Sequence, residues 1–364
     1  MARVAAAGGG ARAGDRITEL LERRTAAGER FFAAEAERIA HLCLHLAQRF
    51  VRGGRLLALG GSPQAWSDAH HIAVEFVHPV IVGKRALPAV ARAAGEARAL
   101  EGHDDILVSF EPLTIAGETF EPPTGDAFVA QELCETLYHV LWELVHVFFE
   151  HLGTSTAGAG ASAFLYPFLE APALSLDDVV EDVRRSVLMK SAEATALRVQ
   201  TLMESGDVLA GAAADVRTSL DAGGAVLAFG NGGSATDAED LVADLRARSR
   251  RALDLAADPA ILTALANDIG PDVLFQRQVI AYAHDGDVLC ALSTSGNSAN
   301  VIAALVEARK RGVRTVAFVG YDGGRVAAEG LADHVVVSRS QHIPRIQEAQ
   351  ASAYHILLEL LDAA

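Results

Sequence analysis

Cysteine is scarce in this sequence, and basic residues are outnumbered by acidic ones. The three cysteines, Cys43, Cys134 and Cys290, are too few and too scattered for a disulfide framework or a thiolate zinc site, which fits a reducing compartment and core positions. The chain has 31 basic and 47 acidic residues, a formal net charge of −16, and no basic cluster interleaved with aromatic residues. This charge repels polyanions, so nucleic acid is not an expected partner.

Long hydrophobic runs are also missing. No stretch approaches the ~20 apolar residues of a membrane span, and the opening "MARVAAAGGGARAG" lacks the apolar core of a signal peptide. We therefore expect a cytoplasmic protein with no membrane partner, and we interpret residues 1–14 as a disordered tail. A chain of 364 residues, 51% of them hydrophobic, is long enough for two domains.

One pattern occurs twice along the chain. "GGRLLALGGS" at 53–62 matches "GGAVLAFGNGGS" at 223–234, and "AQELCETLYHVLWEL" at 130–144 matches "IQEAQASAYHILLEL" at 346–360. The offset is 169 residues just after the glycine-rich loop and 216 at the second match, so the first copy lacks 47 residues that the second has. We predict a truncated domain over 15–152, a Gly/Ala/Ser/Thr-rich linker over 153–174 and a complete domain over 175–364.

Each copy begins with a long helical pattern, and the second copy then alternates strands with helices. Its short apolar runs are "AVLAFG", "ALDLA", "DVLCALS", "RTVAFVG" and "HVVVS". This alternation predicts an α/β fold with a parallel sheet covered by helices on both faces. The first copy keeps three such runs, "RLLALG", "ALPAVA" and "DILVSF", before its terminal helix.

Two loops of the second copy suit a phosphate group. "AFGNGGSATDAEDL" and "LSTSGNSANVI" each join a strand to a helix, where backbone N–H groups and the helix dipole favour an anion. Loops at the carboxyl ends of neighbouring strands converge on one crevice, although glycine and serine can also serve only as turns and caps. The expected phosphate-binding residues are Asn231, Gly232, Gly233, Ser234, Ser293, Thr294, Ser295 and Ser298.

These loops, with "LANDIG" and "RIQEAQASAYHILLELL", resemble the sugar isomerase (SIS) domain of phosphoheptose isomerases. The likeness covers nearly all of 176–364, and 15–152 resembles a truncated form. It implies tandem SIS domains with a flavodoxin-like three-layer αβα fold, and conversion of sedoheptulose 7-phosphate to glycero-manno-heptose 7-phosphate through an enediol. The partner implied is a phosphorylated sugar, with Asp268 near it. The family is usually tetrameric with active sites at subunit interfaces, so we expect a homodimer that imitates a tetramer of SIS domains.

The resemblance also implies a divalent metal, often zinc. In the family a His and a Glu four residues apart, together with a Gln and a His eight apart on the last helix, bind the metal, and the Glu and last His act as base and acid. Residues four apart share a helix face, and His with carboxylate suits zinc. The first copy carries this set as His71, Glu75, Gln131 and His139, and the second carries Asp240, Asp244, Gln347 and His355.

Two arrangements of the active site stay open at this point. Either phosphate is bound by the second copy and the chemistry comes from Glu75 and His139 of the first, or the second copy works alone with Asp244 as base and His355 as acid. The sequence does not fix the length of the sugar. The alternative function is a non-catalytic SIS module that senses a sugar phosphate or binds a protein partner, and buried histidines can also be ordinary core residues.

Overall fold

The protein, described here by a computed structural model over residues 2–79, 84–96, 102–152 and 175–362, forms two compact units. Unit 1 comprises Met1–Thr25 and Ala194–Ala364, and unit 2 comprises Ala26–Glu193. The divisions therefore fall inside the two leading helices rather than at the boundaries we predicted. An amphipathic pattern shows that a helix buries one face, but not which copy covers that face. The predicted linker, 153–174, lies outside the described residues.

The described elements alternate strands and helices. No helix among these residues is long and apolar enough to cross a membrane. The helices are α1 (Ala2–Val51), α2 (Pro63–Val77), α3 (Ala127–His151), α4 (Leu176–Asp221), α5 (Gly233–Ala247), α6 (Pro259–Asp268), α7 (Leu274–Tyr282), α8 (Ala299–Lys310), α9 (Gly324–Ala328) and α10 (Ile343–Asp362). The strands are β1 (Leu56–Gly60), β2 (Ala89–Ala93), β3 (Ile106–Phe110), β4 (Leu113–Ile115), β5 (Glu118–Thr119), β6 (Val226–Phe229), β7 (Ala252–Asp254), β8 (Val288–Ser293), β9 (Arg314–Gly320) and β10 (His334–Ser338).

The first helix starts earlier than the sequence suggested. α1 begins at Ala2, where we expected a disordered tail over 1–14. Alanine has the highest intrinsic helix propensity, and this stretch is rich in it, so the helical pattern that follows extends back through it.

Unit 1 contains the five-stranded parallel sheet expected of the second copy. Its strand order is β10-β9-β8-β6-β7, and every neighbouring pair is parallel. All six residues of β8 are buried, as a strand covered on both faces requires. Strands alternating with helices around this sheet confirm the α/β class.

Unit 2 is parallel only in part. In the order β2-β1-β3-β4-β5, the first three strands pair in parallel, and β3, β4 and β5 form an antiparallel meander. The parallel sheet predicted for this copy therefore stops at β3. The residues between β4 and β5, Ala116 and Gly117, have φ values of 53° and 89°, and two consecutive positive φ values make the tight turn of a two-residue hairpin.

The terminal helix of each copy lies in the interior. Residues 132–149 of α3 and 344–358 of α10 are all buried. A helix buried on every side has no solvent face, so its polar residues lie inside the protein. The histidine of each repeated Tyr-His pair is consequently almost fully buried, His139 at 0% and His355 at 1% exposure.

Candidate functional site

The first glycine-rich loop of unit 1 links β6 to α5. Gly232 has a φ of 58°, and a Cβ at Gly230 would lie 2.3 Å from the Ser234 carbonyl oxygen, so this backbone path needs glycine. Asn231 and Gly232 are exposed, and no side chain caps the start of α5. An exposed and uncapped helix N-terminus suits an anionic ligand.

The second loop links β8 to α8. Gly296 has a φ of 61°, and a Cβ there would lie 2.3 Å from the Gly323 carbonyl oxygen. Ser293 Oγ accepts a hydrogen bond from the Gly296 amide at 3.2 Å, which folds the loop back on the strand end. Ser298 occupies the N-cap of α8, yet its side chain makes no capping hydrogen bond. Its hydroxyl is therefore not committed to the helix.

The two loops are tied to each other. Asn231 of the first loop and Asn300 in the first turn of α8 exchange side-chain hydrogen bonds, both at 3.0 Å. Because β6 and β8 are parallel neighbours, both loops lie at one edge of the sheet. Asn300 was not in the predicted set, although it follows the Ser-Gly-Asn-Ser run by one residue. Asp268 ends α6, is exposed and accepts from Asn267 at 2.7 Å; its place near the sugar stays a prediction.

Farther along α5, two aspartates meet the terminal helix. His355 Nε2 lies 3.2 Å from an oxygen of Asp240 and 3.6 Å from an oxygen of Asp244. The Tyr354 hydroxyl donates to the same Asp240 oxygen at 2.8 Å. All four side chains belong to residues no more than 5% exposed. Gln347, two turns earlier on α10, is also buried.

A second cluster of this kind occurs in unit 2. One donor atom from each of His71, Glu135 and His139 lies within 4.8 Å of the other two, and all three residues are buried. The structure thus groups Glu135 with the histidines, where we expected Glu75 and Gln131. Glu75 Oε1 is 3.9 Å from His71 Nε2, and Gln131 is half-buried. Glu135 could have been found from the sequence, since it lies four residues from both Gln131 and His139.

Comparison with known proteins agrees with the loops and clusters. The SIS domain model matches residues 191–320. Phosphoheptose isomerases from Pelodictyon phaeoclathratiforme and Pelobacter propionicus are 39% and 44% identical over 50% and 43% of this chain, and the matches cover 88% and 85% of those proteins. The chain belongs to the phosphoheptose isomerase family of SIS domain proteins. It is accordingly an aldose–ketose isomerase of sugar phosphates.

One solved structure extends the likeness over both copies. The C-terminal domain of glucosamine-fructose-6-phosphate aminotransferase from Francisella tularensis has a TM-score of 0.60, covering 95% of this chain and 94% of that one. At 11% identity this shows similarity of fold alone. It supports the interpretation of the chain as two SIS-like domains, the first of which is shortened.

Both clusters fit a divalent metal by their donor chemistry. Unit 1 offers two carboxylates and one imidazole, and unit 2 offers two imidazoles and one carboxylate. Zinc binds imidazole nitrogen and carboxylate oxygen at about 2.0 to 2.2 Å, so donors on one ion lie about 4.4 Å apart or less. Donor atoms within 4.8 Å of one another approach that spacing without large movement.

The loop of the first copy has lost the features that suit phosphate. Ser62 caps α2 by accepting from the Ala65 amide at 3.2 Å, and Pro63 removes one amide donor from the first turn. Glu111, which follows β3, brings a carboxylate oxygen to 2.9 Å from where a Cβ of Gly61 would lie. A carboxylate over the loop repels a phosphate. This agrees with the loss expected from "GGSPQAWS" and "SFEPLT".

Other buried ionisable groups look structural. All three cysteines are free and buried, as predicted. Burial raises the pKa of Cys290 to about 12 and also raises that of Cys134, so these thiols stay protonated and unreactive. Burial, reinforced by the nearby Lys84 ammonium, lowers the pKa of His146 to about 4 and keeps its ring neutral.

Proposed function

We propose that the protein converts D-sedoheptulose 7-phosphate to D-glycero-D-manno-heptose 7-phosphate within unit 1. The observation that carries this proposal is the position of the Asp244 carboxylate, 3.6 Å from His355, on the helix that begins at a phosphate-type loop. The names of the relatives and their coverage support the substrate class. Phosphate binding and chemistry are thereby assigned to the same copy.

The sugar phosphate would be held at the two loops. Hydroxyl and amide donors are available at Ser234, Thr294, Ser295 and Ser298, and the N-terminus of α5 adds its dipole. The Asn231–Asn300 pair fixes the spacing between the loops. A phosphate placed there orients the rest of the substrate along α5 toward Asp240 and Asp244.

The length of that path favours an extended substrate. Asp244 lies ten residues after Ser234, a rise of about 15 Å along an α-helix, which its side chain shortens by leaning toward the N-terminus. A phosphate at the loops and a reacting carbon at Asp244 therefore require a long, open chain. This supports a heptose phosphate over a pentose phosphate.

Two side chains of unit 1 suit the proton transfers of an aldose–ketose isomerisation. Asp244 would remove the proton from the carbon next to the carbonyl, and His355 would move a proton between the two oxygens of the enediol. Tyr354, by bonding Asp240, holds that carboxylate against His355 and so fixes the imidazole. A divalent metal bound by Asp240, Asp244 and His355 would supply charge stabilisation for the developing oxyanion.

Turnover measurements test the assignment. We expect Asp244→Asn to lower kcat on sedoheptulose 7-phosphate, with zinc present, by about 10²- to 10⁴-fold and to leave KM nearly unchanged, because the base acts in the transition state. Glu75→Gln in the first copy and Glu239→Gln on α5 serve as controls and should keep their activity.

The other outcomes separate the alternatives. If only Glu75→Gln abolishes turnover, the arrangement in which the first copy supplies the chemistry replaces this one. If folded wild-type protein binds sugar phosphate without turnover on heptose, hexose or pentose phosphates, the sensing or partner-binding alternative is favoured. The homodimer and the cytoplasmic location stay predictions, and a monomeric mass by light scattering would contradict the first.

A further inference from the structure

The donor cluster of unit 2 differs from the four-residue set that the sequence suggested. It joins His71 of α2 to Glu135 and His139 of α3, and these residues are 3%, 4% and 0% exposed. The two α3 residues are four apart and share a helix face. Glu135 thus occupies the position nearest to both imidazoles that a carboxylate on this helix can take.

The two copies place their carboxylates on different helices. The residue 216 positions after Glu135 is Ala351, whereas His139 corresponds to His355. Conversely, His71 corresponds to Asp240 on α5. Each copy therefore has three donors, but the first takes its carboxylate from the terminal helix and the second from the helix after the loop. A carboxylate at 135 compensates for the imidazole at 71.

The charge balance of unit 2 favours a cation at this place. Among the described residues of the unit, Lys190 is the only buried Lys or Arg, and it is paired with Glu143. The same interior still contains several buried carboxyl groups on α2 and α3. Burying carboxylates without a compensating cation is costly, and a divalent ion between two imidazoles and a carboxylate offsets that cost. These additional buried carboxyl groups are Asp68, Glu75, Glu132 and Glu135.

We propose that His71, Glu135 and His139 bind a zinc ion in the first copy, with Glu135 as a ligand in place of Glu75 and Gln131. Three protein ligands leave a fourth position for water, as in zinc sites with two histidines and a glutamate. The choice of zinc rests on the proposed function, but metal binding is measured without substrate. The site is separate from the Asp240, Asp244 and His355 cluster.

Zinc titration of metal-free protein, followed by elemental analysis, tests the ligand assignment. Glu135→Gln should bind one equivalent of zinc fewer per chain than wild type, because an amide replaces the anionic ligand with little change of shape. Glu132→Gln, a buried carboxyl on the same helix outside the cluster, should bind as wild type does. Equal zinc content in Glu135→Gln and wild type would overturn the proposal, as would a loss confined to Gln131→Ala or Glu75→Gln.

A measurement on unaltered protein covers the case in which a variant does not fold. Crystals grown with zinc and measured at the zinc absorption edge should show an anomalous peak among the donor atoms of His71, Glu135 and His139. A peak beside Glu75 and Gln131, or none in unit 2, would contradict the assignment. Turnover assayed on the same samples keeps the questions apart, since an inactive wild type that binds this zinc refutes only the proposed reaction.

Discussion

Replacing Arg24 tests whether the start of α1 belongs to the fold of the second copy. Arg24 Nη2 lies 2.8 Å from an oxygen of Glu359 on α10, and its Nη1 donates to the Leu20 carbonyl at 3.2 Å. The Arg24 side chain is 1% exposed. Neighbouring Arg23 contacts the other Glu359 oxygen at 3.2 Å, but its side chain is 45% exposed. The two arginines therefore form a matched pair that differs mainly in burial.

The structure sets the expected size of the effect. Removing one partner of a buried ion pair costs about 3 to 5 kcal/mol because the other charge is left in a poorly solvated place. Glu359 retains Arg23 and is 13% exposed at its side chain, so we expect Arg24→Met to lie at the lower end, about 3 kcal/mol. Arg23→Met removes an exposed contact and should cost about 1 kcal/mol or less.

Equilibrium urea unfolding followed by far-ultraviolet circular dichroism measures both values. Both tryptophans, Trp66 and Trp142, lie in unit 2, so their fluorescence follows that unit by itself. Arg24→Met should lower the dichroism midpoint clearly more than Arg23→Met does. Equal and small losses would refute the reasoning, and would favour the boundary at residue 15 that the sequence suggested over the unit that the structure shows.

Two further predictions concern pH and the phosphate loops. The Arg55 guanidinium, with two backbone amides, holds the pKa of buried Asp105 at about 2, below its ordinary value near 3.9. The associated stabilisation, about 2 kcal/mol, is full above pH ~4 and is lost as pH falls through 2, so the gap in unfolding free energy between wild type and Asp105→Asn should narrow between pH 5 and 2; a widening gap would contradict this sign. In the second loop, Gly296→Ala should raise KM for the sugar phosphate about tenfold or more, because the new Cβ would collide with the Gly323 oxygen. Gly312→Ala has a similar φ, 71°, but its nearest neighbour is 3.8 Å away, so an equal KM increase there would rule out the collision as the cause.

The sequence predicted those parts of the fold that depend on local patterns. The glycine-rich loops, the apolar runs before them and the helices after them lie where the repeated motifs put them, because each motif combines a strand, a turn and a helix start within a few residues. The hairpin of β4 and β5 was missed, although Ala116-Gly117 is a tight-turn signal between short apolar runs. The search for a second copy of known motifs drew attention away from residues that have no counterpart.

The division of the leading helices could not be predicted in the same way. Arg24 on α1 and Lys190 on α4 each meet a glutamate on a terminal helix, Glu359 and Glu143 respectively. Each of these pairs spans more than 45 residues of chain, and a single sequence carries no information on which distant charge a buried arginine or lysine will meet. Glu135 was missed for a related reason, since its partner His71 comes from another helix.

The pattern of what each copy has kept bears on how the chain works. Glu111 and the capped, proline-led start of α2 remove phosphate binding from the first copy, whereas both copies retain three buried donors around the terminal-helix histidine. Losing the phosphate loop removes the means of orienting a sugar phosphate, but it leaves the buried donors in place. If the first cluster only filled space, apolar residues of similar volume would serve there at lower cost. A carboxylate at 135 opposite Ala351 in the second copy therefore argues that unit 2 has a charge-dependent role of its own, which binding of zinc would explain.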